Sequence, residues 1–543
     1  MVDAAAEPEF AFEVKGFRSG LYRFPHYSES PVNSVRLAQN CVITGQGFLK
    51  RRVGLENQSS GEFTTGILRA LVVEGIPRDR KLHVLTQPAA VKYRQWDGVT
   101  WGGTLGADHG SGLLGSAPVK PAWMRKSDGK IALFTARDDG IASVLTEGSG
   151  VPADIHVAAN ESFQAKGTDN PPGHGIIVHF KDRLWVGGGV LLSNIDRHRL
   201  YYSNLLDPEV WNATIQNIPI SPSGQDITGI AGWRNESLII GTETQLWGLV
   251  VGQSTDLLDW KLEKLSDAIG VGSHYTMISI RDDLFFLDQY GDVRSLKLSL
   301  SETSNTLESI PVSFPIRDDI RKLIVHTSLT LMMETVASIA YEGNYLIGDI
   351  RASSDGALDG IGNIFLFDTQ HQAWTGPMKY FASDAGLVGV EEVFGELTGE
   401  SKVAVGAQNR REFIALNSLS IDSDVYEVTG NDDASTAIDV EIQTQAYDFS
   451  FPNVEKILKW VEIEFDGSDG FEVAGAVDFG SFTILDAVVS VSGSGVRRIK
   501  VNCLALERGR TFIIRIKSAD AGSTPPIFRK ILFAGTVMES RDN

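Results

Sequence analysis

"FKDRLWVGG", Phe180 to Gly188, decides the fold because it does not stand alone. A polar turn runs into a short apolar strand, and the same order of events returns along most of the chain. It recurs as "RDRKLHVLT" ending at Thr86, "SDGKIALFT" at Thr135, "WRNESLIIG" at Gly241, "IRDDLFFLD" at Asp288 and "YEGNYLIGD" at Asp349, with a weaker copy, "TGESKVAVG", at Gly406. The equivalent apolar positions Leu82, Ile131, Leu184, Leu238, Leu284, Tyr345 and Val403 lie 49, 53, 54, 46, 61 and 58 residues apart. Each copy is followed by a further strand, often with an aromatic, as in "HRLYYSNLLDPEVWN" and "NIFLFDTQHQAWTG". A unit of roughly 50 residues holding three or four short strands has the size of a β-propeller blade. Strict alternation is weak and four-residue apolar runs dominate, as strands buried on both faces require.

After "SIDSDVYEVTGNDDAST" (residues 420–436) the pattern changes to clean alternation. In "KWVEIEFDG", Val461, Ile463 and Phe465 share one side; in "FIIRIK", Phe512, Ile514 and Ile516 do the same. Half-buried strands of period two predict an antiparallel β-sandwich. The expected fold is therefore all-β: a β-propeller of six or seven blades followed by a C-terminal antiparallel β-sandwich. Its expected parts are an N-terminal extension with a hairpin over 1–60, the propeller over 61–420 and the sandwich over 437–543. Within the propeller, "SFPIRDDIRKLI" spaces Ile316, Ile320, Leu323 and Ile324 as a short amphipathic helix, with Ser313 placed as its cap. The Pro/Gly-rich loop 158–175 is a connection.

At 543 residues and a net charge of −20, the chain is acidic and long enough for two or three domains. That charge argues against general nucleic-acid binding, which depends on neutralising phosphates. Two cysteines, Cys41 and Cys503, cannot form a disulfide framework and lack neighbours at metal-ligand spacing. The N-terminus has no basic n-region and no apolar run reaches the ~18 residues of a membrane span, so a soluble protein made in a reducing cytoplasm is expected.

His174 and His179 are an odd number apart, which puts them on opposite strand faces. Asp138/Asp139, Asp282/Asp283 and Asp432/Asp433 are adjacent pairs in turns, without the spaced ligands of a calcium loop, and are expected to be solvated. "VGGGV" (186–190) is not followed by a helix with Lys-Ser/Thr and is no phosphate loop. No catalysis, cofactor or metal is expected from these patterns.

One stretch contradicts the acidic bulk. Between Val14 and Glu56 there are seven basic side chains against two acids, and "NCVITGQGFLKRRVG" (40–54) has the form of a hairpin around Gly45-Gln46-Gly47. Together with the glycine-rich segment 15–21 and "NSVRLAQN", this stretch resembles the N-terminal signature of phage tail nozzle proteins of the tubular protein B type. Val53 stands where that group usually has proline. "RLYYSNLLDPEVWN" (199–212) and the blade 269–296 resemble later parts of the same group, as do the terminal "PNVEKILKWVEIEF" and "PPIFRKILFAG".

The resemblance implies a structural virion protein, assembled in the host cytoplasm and located in the phage tail. It implies a homo-oligomeric ring, a hexamer, that docks beneath a portal–adaptor assembly and carries a tail needle or tailspikes. DNA would pass through an acidic axial channel without specific binding, and no membrane contact is implied. Arg36, Lys50, Arg51 and Arg52 are then the interface candidates, since basic side chains would meet acidic neighbours. The rival expectation is a glycan-binding or glycan-cleaving β-propeller used in host attachment, which needs Arg, Asp and Tyr clustered at one mouth.

Overall fold

The computed structural model describes residues 9–23, 30–58, 63, 67–76, 79–87, 92–96, 101–105, 120–125, 129, 131–137, 140–145, 175–188, 197–208, 210–212, 214–252, 259–297, 310–324, 336–349, 364–380, 385–394, 410–418, 424–489, 495–518 and 525–538. The protein is all-β, its strands arranged in many sheets. The chain divides into two compact units: one is Met1–Glu56, Asn363–Ser383 and Thr429–Asn543, the other Asn57–Gly362 and Asp384–Val428.

Among its described residues the larger unit holds seven successive groups of antiparallel strands, six sheets and one hairpin, each called a sheet below. The first runs through Ile67–Ile76, Asp79–Gln87, Lys92–Trp96 and Trp101–Leu105; the second through Ala122–Arg125, Ile131–Arg137 and Gly140–Leu145. The third is Ile176–Phe180, Arg183–Gly187, Arg199–Tyr202 and Asn217–Pro219, and the fourth Ile227–Trp233, Ser237–Thr242, Leu246–Val250 and Lys261–Ser266. The fifth is Ile278–Ile280, Asp283–Leu287 and Val293–Ser295. The sixth contributes the hairpin Val336–Tyr341 and Asn344–Asp349, and the seventh is Ala385–Phe394, Arg410–Ser418 and Asp424–Val428.

The recurring polar turn is the connection between the first and second strands of a sheet. Lys181 and Asp182 (φ 47 and 54) join Phe180 to its partner Arg183, and Glu342 and Gly343 (φ 49 and 75) join Tyr341 to Asn344. Left-handed conformation at both central positions matches the right-handed twist of the flanking strands, and Asp, Asn and Gly tolerate it best. The apolar positions aligned in sequence, Leu82, Ile131, Leu184, Leu238, Leu284 and Tyr345, all lie in second strands and are 0–2% exposed. Val403 and the rest of its copy lie outside the described residues, as do His174, Asp138/Asp139 and most of the loop 158–175.

Neighbouring sheets share cores. Leu184, Val186 and Tyr201 of the third pack with Phe134 and Met124 of the second. Trp185 and Tyr202 of the third pack with Ile230 and Ile240 of the fourth, whose Ile239 and Leu246 in turn meet Leu284 and Phe286 of the fifth. Leu82 and Val84 of the first sheet join Phe413 and Val425 of the seventh. Gly188 is required at one such junction: its φ is +62, and a Cβ there would stand 2.0 Å from the Ile227 carbonyl oxygen. The glycines of "VGGGV" that are described therefore serve close packing.

The expected helix is present as a 3-10 turn, Phe314–Ile316, running into an α-helix, Arg317–Leu323, with Ile316, Ile320 and Leu323 buried. Ser313 does not cap it. Its Oγ instead accepts the Val293 amide at 2.9 Å, fastening the segment to the fifth sheet.

In the other unit the C-terminal strands are completed by N-terminal ones. One sheet has the order Val496–Asn502, Lys456–Asp466, Ile527–Val537, Leu49–Arg51, Cys41–Ile43, and Glu9–Lys15 also pairs with Ile527–Val537 so that Phe12 faces Phe533. A second sheet contains Ile364–Asp368, Ala373–Met378, Ser34–Gln39, Val440–Thr444, Phe512–Ser518, Phe471–Val477 and Thr483–Val489. Both bury side chains in one core, Val461, Ile463 and Phe533 from the first sheet and Val35, Ile442 and Ile514 from the second. Sequence alone set 1–60 apart from 437–543. The pattern of alternation shows which face of a strand is buried but not which distant strand lies beside it.

Candidate functional site

The hairpin from Asn40 to Gly54 belongs to this N- and C-terminal unit. Cys41–Ile43 pairs with Leu49–Arg51, and the Thr44 Oγ1 accepts the Phe48 amide at 3.1 Å to set the turn. Gly47 has φ +83 and faces Arg18, so the turn needs glycine there. The glycine-rich segment 15–21 and the hairpin therefore meet: the Phe17 amide donates to the Gly47 carbonyl at 2.7 Å.

Arg52, just past the second strand, is the centre of the arrangement. Its Nη1 donates to Asp433 Oδ1 at 2.8 Å, its Nη2 donates to Asp433 Oδ2 and, at 2.8 Å, to the Lys379 carbonyl, and its Nε reaches Asn40 Oδ1 at 3.3 Å. Its guanidinium lies 4.1 Å from the Tyr380 ring centroid. Arg52 and Asp433 side chains are each 3% exposed. Asn40, left-handed at φ 54, accepts the Lys379 amide at 2.6 Å on the same Oδ1 and donates from Nδ2 to the Asp439 carbonyl at 2.7 Å. A planar, always-charged fork suits a buried site that needs donors in several directions.

Two of the four interface candidates are thus not surface groups of their unit. Arg51 and Arg52 are each 4% exposed, and Arg51 reaches Asn431 Oδ1 at 3.5 Å. Burial pulls the Arg51 pKa down, with Asp469 opposing it. Their expected place on a docking surface is corrected accordingly: each finds acceptors inside the unit, which sequence could not show for partners some 380 residues away. Lys50 and Arg36 stay half-buried. Arg36 sits 5.1 Å from the centroid of Phe479, itself 54% exposed, and its pKa is lowered by burial and then by Arg23. The expectation that Asp432 and Asp433 form a solvated pair is corrected too, since Asp433 is the buried counter-ion of Arg52.

The larger unit contains a second polar cluster that sequence reasoning passed over. Asp288 and Asp292, both 0% exposed, flank the turn after Asp283–Leu287. Asp288 Oδ1 accepts the Tyr290 and Asp292 amides at 2.8 and 2.9 Å, and its Oδ2 accepts Arg294 Nε at 2.8 Å. Asp292 binds Arg317 through two bonds of 2.8 and 2.6 Å and Arg321 at 3.2 Å, and both arginine side chains are 40% exposed. Tyr290 projects from the same turn, 61% exposed. Burial raises the Asp288 pKa, and the bond to Asp292 raises that of Arg317. The available signal was the Asp-x-x-x-Asp spacing around Gly291.

Other sequence candidates stay separate. Burial holds the His179 pKa below its ordinary value. Asp282 is exposed and paired with Lys297, while Asp283 Oδ1 accepts the Leu284 amide at 2.7 Å and the Lys297 amide at 2.8 Å, tying its turn to the end of Val293–Ser295. Cys41 and Cys503 are both buried free thiols of one core, with burial pushing Cys503 up to about 12 and Cys41 higher still. Among the described residues, no group of three or more His, Cys, Asp or Glu is placed to hold a metal, and no helix is long and apolar enough to cross a membrane.

No protein-family model matches the sequence, and no curated protein matches it. Solved structures do match. An exo-β-1,3-galactanase from Phanerochaete chrysosporium with β-1,3-galactotriose shows 10% identity and a TM-score of 0.29 over 91% of this chain and 100% of its own. A Trypanosoma rangeli sialidase with difluorosialic acid shows 9% identity and 0.31 over 94% and 96%. The extracellular domain of a putative one-component system from B. thetaiotaomicron shows 10% and 0.37 over 69% and 40%. The expectation that the chain is not an enzyme stands against these comparisons, since several of the structures, the galactanase and the sialidase among them, are of enzymes. At such identities and TM-scores the likeness assigns this chain no substrate and no catalytic residue.

Proposed function

We propose that the chain is a tail nozzle protein of a short-tailed phage, a virion component that assembles as a ring and conducts DNA. The observation that carries this is the integration of the signature segment. The hairpin 40–54 is fastened to Asp433 and the Asp439 carbonyl through Arg52 and Asn40, and the glycine-rich segment to Gly47 and Arg529 through the Phe17 and Gly16 amides, so the N-terminal part of the resemblance belongs to the same unit as the C-terminal strands. Six of the seven sheets share a core with another, which fits a seven-bladed propeller whose sequence interrupts that of a two-sheet sandwich. The net charge of −20 suits a channel wall that repels phosphates, so that DNA slides without binding. Lys50 and Arg36 are the basic groups left for docking to an adaptor. Immunogold electron microscopy of particles from the source tests this: label at a single tail vertex is expected, and particles without label overturn it.

A second reading is a glycan-binding or glycan-cleaving propeller for host attachment. Tyr290 beside Asp288, Asp292, Arg294, Arg317 and Arg321 supplies the residue types such a site uses. Release of reducing sugar from host polysaccharide by the purified protein, abolished by Tyr290→Phe and by Arg317→Met, is its expected result. Lack of both cleavage and binding removes it.

A further inference from the structure

In the larger unit, the short 3-10 turn His274–Thr276 is met from several sheets. Thr276 offers its carbonyl to Ser338 Oγ at 2.8 Å and to the Tyr345 hydroxyl at 3.1 Å, both from the sixth sheet. Lys120, just ahead of the second sheet, donates from Nζ to the carbonyls of His274 at 3.3 Å and Met277 at 3.2 Å. From the fourth sheet the Ile230 amide approaches His274 Nδ1 at 3.5 Å. An N–H aimed at Nδ1 makes that nitrogen the acceptor, which places the imidazole proton on Nε2.

That Nε2–H is enclosed, since His274 is 3% exposed, and it has no hydrogen-bond partner among the described residues. Lys120 has three N–H donors and two carbonyl acceptors, which leaves one donor over. Ser273, next to His274 in the chain and 0% exposed, adds a buried hydroxyl without a partner among the described residues. Among the described residues no carboxylate pairs with Lys120. Buried donors without acceptors are costly, and a half-buried ammonium that desolvation disfavours, without a counter-charge, adds to that cost.

We propose that this hub holds a small monovalent anion of halide type, bound by Lys120 Nζ and His274 Nε2–H. The unpartnered N–H groups at the site, one of them on an ammonium, are donors only, so the occupant that serves them is an acceptor with negative charge. Enclosure by chain from the second, fourth, fifth and sixth sheets calls for a small one. Burial lowers the pKa of both groups, of Lys120 first by desolvation and of His274 also by the nearby Lys120, which is the strain a bound anion relieves. The anion would serve as a structural pin at the meeting point of four sheets, whichever function the protein performs.

Crystals of the full chain soaked in bromide give the direct test. An anomalous peak within hydrogen-bond distance of Lys120 Nζ and His274 Nε2 is the expected result, and an ordered water there, or bromide only elsewhere, overturns the proposal. In solution, raising chloride at constant ionic strength against methanesulfonate should raise the melting midpoint by roughly 1–3 °C per tenfold. Lys120→Met should abolish that dependence, and a variant that responds as the wild type does sinks the idea. Should Lys120→Met not fold, the wild-type bromide map decides alone.

Discussion

Arg52 illustrates how a charged side chain near a chain terminus can be a core residue. Its guanidinium joins the 40, 379 and 433 regions with all but a few per cent of its surface removed from water. Replacing it by methionine removes the two-pronged partner of the buried Asp433 carboxylate, and breaking such a pair costs about 3–5 kcal/mol. Lys50, two residues earlier and half-buried, should cost under about 0.5 kcal/mol when changed to alanine. Urea unfolding of the two variants beside wild type measures the contrast, and equal losses would contradict the structural role given to Arg52.

Lys120 makes a different residue-scale prediction. Burial lowers its pKa from 10.5 to about 7. Between these values the unfolded chain carries a proton that the folded one lacks, so stability should rise with pH through that window. The penalty is fully present below about 7 and is gone above 10.5. In chloride-free buffer, melting curves of wild type should show this rise, and those of Lys120→Met should show less of it.

At the scale of elements, the polar turn followed by an apolar strand was legible because its chemistry is local. Lys181-Asp182 and Glu342-Gly343 occupy positive φ, and Leu184 and Tyr345 begin the burial that follows within three residues. Alternation in 456–466 and 512–518 was legible for the same reason, with Val461, Ile463, Phe465, Ile514 and Ile516 all at 0% exposure. Pairing between distant segments was not. Nothing in "RRVG" points to Asp433, and nothing in "FAFEVK" points to Ile527–Val537, because those contacts depend on how the two sheets are ordered. The Asp288–Asp292 cluster falls between: its turn is local, but Arg317 and Arg321 arrive from a helix some 25–29 residues on. Junctions between sheets are equally hidden, apart from glycines that permit them. Gly188→Ala forces a left-handed alanine and a Cβ into the Ile227 carbonyl. The expected loss is at least about 2 kcal/mol, read by denaturant unfolding.

For the whole molecule, the division into units makes the chain's two ends one folding problem. Strand Ile527–Val537 lies between Lys456–Asp466 on one side and Glu9–Lys15 with Leu49–Arg51 on the other. Val440–Thr444 needs Ser34–Gln39 beside it, and Phe533 packs against Phe12. A fragment of residues 429–543 therefore keeps its clean alternation but lacks three strands that close its sheets, leaving backbone edges unpaired and Phe449, Phe533 and Ile442 partly open to water. Expressed alone, it should show poorly dispersed amide NMR signals or aggregate, even though a sequence boundary near residue 437 marks it as a domain. Coexpression with residues 1–428 should recover a soluble complex that copurifies, because the missing strands are then supplied in trans. A fragment that folds by itself, with dispersed signals and cooperative unfolding, would show that Glu9–Lys15 and the basic hairpin are additions to a finished domain. The Arg52–Asp433 pair would then be a clasp between two finished parts instead of the centre of one.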